Sequence, residues 1–144
     1  METLLNPDPT ATQSVYDMQV AANARYRGWL QEVAEGLMYL QEKGVTVLWR
    51  PMSEMNGTWF WWGHRSRQGY VDLWRDMYQY FDDQGIDNIL WVYESDRGSH
   101  DCYNSSTDLN RCFPTDFYYP GDDVVDVMGH NMYHSTWNLS LIHI

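Results

Sequence analysis

The sequence predicts an α/β protein that forms part of a (β/α)8 TIM barrel. Three short apolar runs, rich in β-branched residues, are typical of buried parallel strands, and they lie at residues 45–49, 89–93 and 124–128. Helical patterns precede the first run and separate it from the second. A complete barrel needs about 250 residues, whereas this chain has 144. We therefore expect the middle of a barrel, with a sheet that has two open edges.

The two helices are predicted from apolar periodicity and from the residues at their ends. Residues 13–43 carry apolar side chains at three- and four-residue spacing, and these are Trp29, Leu30, Val33, Ala34, Leu37, Met38 and Leu40. Gly44 is suited to end this helix. The second helix is predicted at residues 69–84, preceded by Ser66 or Gln68. Its apolar stripe consists of Tyr70, Leu73, Trp74, Met77, Tyr80 and Phe81.

The main candidate for chemistry is a carboxylate just beyond the first strand. Glu54 lies past residues 45–49, and the carboxyl ends of parallel strands are where such folds bind ligands. Four consecutive aromatic residues, 59–62, offer flat apolar faces that can stack on sugar rings. The alternative for any one of them is a place in an aromatic core, and we expect Trp61 or Trp62 to be core. The combination indicates sugar chemistry.

Residues 50–63 closely resemble the acid/base strand of glycoside hydrolase family 26, best known for endo-β-mannanases. The segment reads Arg50-Pro51-Met52-Ser53-Glu54-Met55-Asn56-Gly57-Thr58-Trp59-Phe60-Trp61-Trp62-Gly63. Weaker matches follow in the family's order, namely Leu73-Trp74-Arg75, residues 88–93, residues 119–129 and Tyr133. The resemblance implies that the three predicted strands are strands four to six of the barrel. It also implies hydrolysis of a β-linked polysaccharide, most of all by endo-β-1,4-mannanase activity.

The same resemblance implies a retaining mechanism with two glutamates. Glu54 corresponds to the proton donor, and the nucleophile is expected at the end of strand seven, beyond residue 144. The residues that the resemblance assigns to substrate binding are Arg50, Asn56, Trp59, Trp62 and Tyr133. Arg50 and Tyr133 would face the nucleophile, whereas Asn56 and Trp59 would shape the sugar subsite beside Glu54.

Two positions depart from the family's pattern. Ser53 stands where the family usually has His, and Asn131 is expected to stand where relatives often carry Asp. The substrate therefore stays open between mannan, the expected one, and xylan or mixed-linkage glucan. Glu94 follows the second strand and is a second candidate carboxylate. Its strand is next to that of Glu54, which favours a hydrogen bond at the rim over a nucleophilic role.

The long segment at residues 98–120 carries both cysteines, Cys102 and Cys112. Their proximity in one loop suggests a disulfide, with two free thiols as the alternative. His100, Asp101, Asp108 and Asp116 offer donor atoms but no recognised ligand spacing. The pair His130 and His134 adjoins a strand rather than lying on a helix. We expect no metal and no other cofactor.

Charge and composition restrict the partners. With 9 Lys and Arg against 20 Asp and Glu the formal charge is −11, which repels nucleic acid and anionic membranes but not a neutral polysaccharide. No run approaches the roughly 18 apolar residues of a membrane span, and residues 1–9 lack the features of a signal peptide. The expected partner is a polysaccharide, the expected state a monomer, and the expected location extracellular.

Residues 1–138 are expected to be a fragment of one glycoside hydrolase catalytic domain. Residues 139–144 match one reading frame of an adapter used in sequencing libraries, so a non-native tail is expected there; the alternative is a native apolar strand. Two other functions are alternatives to catalysis. One is a non-catalytic carbohydrate-binding relative, and the other is a small doubly wound domain, which the lack of a Gly-rich phosphate loop after a strand disfavours.

Overall fold

The computed structural model describes residues 2–63, 65–96 and 116–131. The elements in chain order are α1 (Glu2–Leu5), α2 (Gln13–Glu42), β1 (Val47–Trp49), α3 (Arg67–Asp83), β2 (Ile89–Asp96), a 3-10 turn (Asp122–Val124) and β3 (Val127–Asn131). The expectations for Tyr133, the two cysteines, His134 and residues 139–144 lie outside the described residues.

The three strands form one parallel sheet in the order β1, β2, β3. Trp49 pairs with Trp91 across the first strand pair, and Glu94 pairs with Gly129 across the second. A crossover helix, α3, connects β1 to β2, as parallel pairing requires. This is the predicted arrangement of part of a (β/α)8 barrel, with successive strands adjacent in the sheet.

Both predicted helices are present, with ends set by local chemistry. α2 is followed by Gly44, which adopts φ +69°, a conformation that glycine reaches without steric cost. α3 begins after Ser66, whose hydroxyl oxygen accepts a hydrogen bond from the backbone N–H of Gly69 at 3.2 Å. This bond satisfies one of the free donors of the first turn. Of the two predicted starting residues, Ser66 is the one that caps the helix.

The core lies between the sheet and α3. The Trp91 ring packs against the rings of Trp74, Tyr78 and Phe81 at centroid distances of 5.5, 5.1 and 5.9 Å. Five of the six residues predicted for the stripe of α3 are buried, all but Tyr80. α2 contributes Tyr26, Leu30, Ala34 and Leu37 to the same core. Trp29 was also predicted to pack inward, but it is more than half exposed.

The other face of the sheet is open, which corrects the prediction of buried strands. Leu48 is 66% exposed, and Leu90, its partner in β2, is also exposed. Val127 continues this face in β3. Because side chains alternate along a strand, these residues point away from Trp49 and Trp91, toward what would be the interior of a barrel. The helix side therefore covers Trp91 and Tyr93 of β2, while Met128, the partner of Tyr93 in β3, is exposed on that side as well.

The third strand begins later than predicted. It was expected at residues 124–128, but Val124 belongs to the 3-10 turn and β3 starts at Val127. The backbone oxygen of Val124 accepts a hydrogen bond from the indole of Trp74 at 3.1 Å. Arg75 donates to the oxygen of Pro120 and to the carboxylate of Asp123 at 2.7 to 3.1 Å. These contacts hold the turn on α3, so that pairing with β2 starts only beyond it.

Candidate active site

Glu54 lies at the carboxyl end of the sheet, in the turn that follows β1. Its backbone adopts φ +57°, and Met52 adopts φ +48°, values that are uncommon for residues other than glycine. The N–H of Glu54 donates to the backbone oxygen of Glu94 at 2.9 Å. This bond ties the turn to the end of the neighbouring strand. The hydrogen bond and the backbone conformation of the turn together determine the direction of the Glu54 side chain.

Asn56 fastens the same turn at a second point. Its Nδ2 donates to the backbone oxygen of Asp96 at 2.8 Å, and its Oδ1 accepts from the N–H of Asp96 at 2.9 Å. Asn56 and its neighbour Met55 are both buried. Asn56 therefore shapes the site by positioning backbone, and direct contact of its amide with a sugar stays a prediction.

Each oxygen of the Glu54 carboxylate accepts an N–H from a neutral side chain. The indole of Trp59 donates to Oε2 at 2.6 Å, and Nδ2 of Asn131 donates to Oε1 at 2.5 Å. Glu54 is only 6% exposed, so these donors replace much of the water that an exposed carboxylate would bind. The role of Trp59 as a direct partner of Glu54, and that of Asn131, could not be inferred from sequence spacing.

The indole of Trp59 packs closely on Gly57, which has no side chain to occupy that space. A methyl group at Gly57 would overlap the indole of Trp59, and one at Gly63 would overlap the carbonyl oxygen of Gly57. The ring of Trp59 is nevertheless 48% exposed. One side of the indole is thus packed on backbone, while the rest is accessible to a ligand.

The other aromatic residues of the segment divide between packing and exposure. Trp62 is half buried, donates its indole N–H to the backbone oxygen of Ser53 at 2.8 Å and stacks on Phe60 at a centroid distance of 4.4 Å. Trp61 is mostly exposed and lines an apolar groove of about 340 Å³ together with Tyr26, Trp29 and Leu30 of α2. Of the two residues expected as core, Trp62 is therefore the one that packs inward.

A second carboxylate occupies the same edge of the sheet, one strand further on. Glu94 is buried, and its Oε2 accepts a hydrogen bond from Nη1 of Arg50 in an ion pair. Arg50 was predicted to face a nucleophile from elsewhere in the barrel. In the described residues its guanidinium faces Glu94, so the bond at the rim expected for Glu94 is made to Arg50, and a contact of Arg50 with the nucleophile stays a prediction.

Three buried tyrosines near the site carry neutral hydroxyl groups. Burial raises the pKa of Tyr118 to about 12, and burial also raises the pKa of Tyr70 and Tyr93 well above the usual range. The Tyr118 hydroxyl donates to the backbone oxygen of Arg65 at 2.8 Å. These groups therefore fix the loops around the site and carry no charge at physiological pH.

No metal or membrane site is found in the parts of the chain that the structure describes. Within residues 2–63, 65–96 and 116–131, no three His, Cys, Asp or Glu side chains are grouped so as to hold an ion. The helices of those same ranges are all too short or too polar to cross a bilayer.

A family model, described as Glycosyl hydrolase family 26, matches residues 8–141. The chain belongs to this family. The resemblance seen in the segment around Glu54 therefore extends over nearly the whole sequence.

Curated relatives of this family 26 chain include mannan endo-1,4-beta-mannosidases. One from Bacillus subtilis is 38% identical over 130 residues, which cover 84% of this chain and 32% of the relative. Another, from Caldalkalibacillus mannanilyticus, is 37% identical over 131 residues, which cover 85% of this chain and 23% of the relative. The chain thus spans about a quarter to a third of the length of these relatives.

Solved structures of mannanases share the fold. The structure of the Bacillus subtilis mannanase man26 matches 89% of this chain with a TM-score of 0.65 and 30% identity, and 39% of its own chain is covered. A beta-mannanase from a symbiotic protist of the termite Reticulitermes speratus, complexed with gluco-manno-oligosaccharide, matches 90% of this chain with a TM-score of 0.64. Its sequence is 31% identical, and 37% of its own chain is covered.

Proposed function

We propose that this chain supplies the acid/base half of the active site of a retaining endo-β-1,4-mannanase. The observation that carries the proposal is the environment of Glu54. It is a buried carboxyl at the carboxyl edge of a parallel sheet, with an N–H donor on each oxygen and the exposed indole of Trp59 beside it. This environment supports the role of Glu54 as proton donor beside a surface on which a sugar ring can stack.

The chemistry follows from the position of Glu54. In the first step its carboxyl proton moves to the glycosidic oxygen as the bond to the sugar breaks, and a second carboxylate forms the glycosyl-enzyme. In the second step the Glu54 carboxylate accepts a proton from water, which releases the sugar. The two carboxyl groups need a separation of about 5 to 5.5 Å. By resemblance the second group is a glutamate of strand seven.

Five further residues are proposed to bind the substrate or the nucleophile. Trp59 would present an aromatic face to a sugar ring, and Trp62, which is half buried and stacked on Phe60, would offer only the part of its ring that stays accessible. Asn56 would hold the turn that carries Glu54. The positive charge of Arg50 would keep the nucleophile ionised. Arg50 would then contact both the nucleophile and Glu94. Tyr133 lies outside the described residues, and its contact with the nucleophile rests on the family resemblance alone.

The substrate is proposed to be a neutral β-mannan, met outside the cell. The relatives' names specify mannan or gluco-manno-oligosaccharide for those proteins, and the net charge of −11 disfavours a polyanionic substrate. A polysaccharide is too large to enter cells, so we propose that the protein is secreted. Xylan and mixed-linkage glucan are kept as test substrates, because Ser53 replaces the residue usual in the family.

The decisive experiment uses Glu54→Gln in the protein encoded by the full reading frame that contains this chain. The amide preserves the shape of the site but cannot donate a proton, so kcat/KM on mannan should fall on the order of 10² to 10⁴-fold. Activated aryl glycosides need little protonation of the leaving group. Their first step should therefore be affected much less.

Two outcomes separate the proposal from its rivals. Equal losses on mannan and on aryl glycosides would remove Glu54 from the acid role. Binding of manno-oligosaccharides without hydrolysis by the unaltered protein would favour the non-catalytic carbohydrate-binding relative. Glu35→Gln, on the exposed side of α2, is a matched control that should leave both substrates unaffected.

A further inference from the structure

The contact between Asn131 and Glu54 joins two parts of the chain that are 77 residues apart in sequence. Asn131 is the last residue of β3 and is in register with Asp96 of β2. Its Nδ2 lies 2.5 Å from Oε1 of Glu54, while the indole nitrogen of Trp59 lies 2.6 Å from Oε2. The two oxygens are therefore held by donors from different structural elements.

The donors of these two bonds, the Trp59 indole and the Asn131 amide, are both neutral. The indole N–H can only donate, and the Asn131 amide is oriented with its nitrogen toward Glu54. An N–H donor bonds more strongly to a carboxylate than to a neutral carboxylic acid. The pair therefore stabilises the charge that remains on Glu54 after it has given up its proton.

We propose that Asn131 is a positioning residue that holds the Glu54 carboxyl group in place and stabilises the carboxylate that forms when the Glu54 proton moves to the glycosidic oxygen. The inference rests on the proposed function, because it needs Glu54 to be the acid/base. In the first step the proton leaves Glu54 for the glycosidic oxygen, and the Asn131 N–H bond strengthens as the carboxylate forms. In the second step the carboxylate takes a proton from water, and the same bond weakens. An aspartate at this position could not donate in this way at neutral pH.

The test variant is Asn131→Leu in the protein encoded by the full reading frame. Leucine has nearly the shape of asparagine but no N–H group. Loss of a hydrogen bond to a charged group should lower kcat/KM on mannan on the order of 10- to 100-fold. An activated aryl glycoside should show little change in kcat/KM, because its leaving group departs without a proton. A purely structural defect would lower both rates together.

A double-mutant cycle with Glu54→Gln isolates the interaction. Asn131→Leu should cost little more once Glu54 is already glutamine, because no charge then develops at this position. Met128→Ala, three residues earlier on β3 and exposed, is the control for general effects on the strand. Asn131→Ala provides the same readout if the leucine variant fails to fold in a thermal melt.

The outcomes distinguish this inference from the function on which it rests. If Glu54→Gln discriminates between mannan and aryl glycosides but the Asn131 variants do not, the positioning role is wrong and the acid role stands. Additive effects in the cycle would lead to the same conclusion. If Glu54→Gln lowers the rates on mannan and on aryl glycosides equally, the proposed function is wrong. The role proposed for Asn131 is then wrong as well.

Discussion

Glu54 and Glu94 are both buried carboxylates at the carboxyl edge of the sheet, yet their partners differ. Glu54 accepts N–H groups from neutral Trp59 and Asn131, whereas Glu94 is paired with the cation of Arg50. A neutral N–H donor stabilises a carboxylate through the hydrogen bond alone, while a cation adds the attraction of opposite charges. This difference agrees with the proposed proton transfer by Glu54 and with a structural role for Glu94. Three predictions test this division.

The largest expected effect is that residues 1–138 alone release no reducing sugar from mannan, xylan or mixed-linkage glucan. Glu54 is the proposed proton donor, but Glu94 lies on the strand next to that of Glu54 and not at the strand-seven position from which a glycosyl-enzyme could form. Removal of one member of a catalytic pair leaves only the residual effect of binding. The measurement compares these residues with the protein from the full reading frame at equal concentration.

The opposite result would contradict the different roles proposed for Glu54 and Glu94. If residues 1–138 were soluble and turned over mannan at a comparable rate, Glu94 would become the candidate nucleophile. Glu94→Gln would then abolish turnover of the short protein. Under the proposed division of roles, the same substitution in the full-length protein should leave most of the activity intact.

The next largest effect concerns the donor on Oε2 of Glu54. Trp59→Ala removes both the indole N–H and a stacking face, so transition-state binding should weaken by about 2 to 3 kcal/mol with little change in melting temperature. Trp74→Ala is the matched control, because Trp74 is fully buried and should cost about 3 to 5 kcal/mol of stability. Kinetics and a thermal melt on both variants test the assignment. A large loss of stability in Trp59→Ala would place that ring in the core.

The smallest effect is expected at the ion pair of Arg50 and Glu94. Arg50 is about half exposed, so water screens the pair and Arg50→Gln should lower the free energy of unfolding by only about 1 kcal/mol. Urea denaturation of Arg50→Gln, Glu94→Gln and the double variant measures the coupling. Zero coupling energy would show that the pair does not hold either side chain in place, and Glu94 would lose its structural role.

Local sequence was sufficient to predict α2, α3 and the edge of the sheet that carries the site, but not the short helix α1. The periodicity of α2 and α3, with Gly44 and Ser66 at their ends, depends on residues within one or two turns of each other. The start of β3 could not be predicted in this way. The run at residues 124–128 has strand composition, but the contacts of Trp74 and Arg75 hold Val124 in a turn. Packing from a distant helix overrode local preference.

The partners of the two glutamates were also beyond local sequence. Arg50 and Glu94 are 44 residues apart, and Asn131 and Glu54 are 77 residues apart. Such pairs meet only because the strands are parallel and in a particular register. The sequence predicts that Glu54 and Glu94 lie at the carboxyl edge of the sheet. It does not predict which N–H donor contacts which carboxylate. The geometry of the sheet decides that.

The left-handed backbone at Met52 and Glu54 has a consequence for directed evolution. Two such residues cost roughly 1 to 3 kcal/mol each, and the rest of the fold must offset that cost. A library selected for heat resistance alone would favour glycine at position 52, because glycine adopts this conformation without strain. Glycine at position 52 would also make the turn more flexible, so that the orientation of the Glu54 side chain would be less restricted. Selection for stability and selection for turnover should therefore diverge at this turn before they diverge in the core.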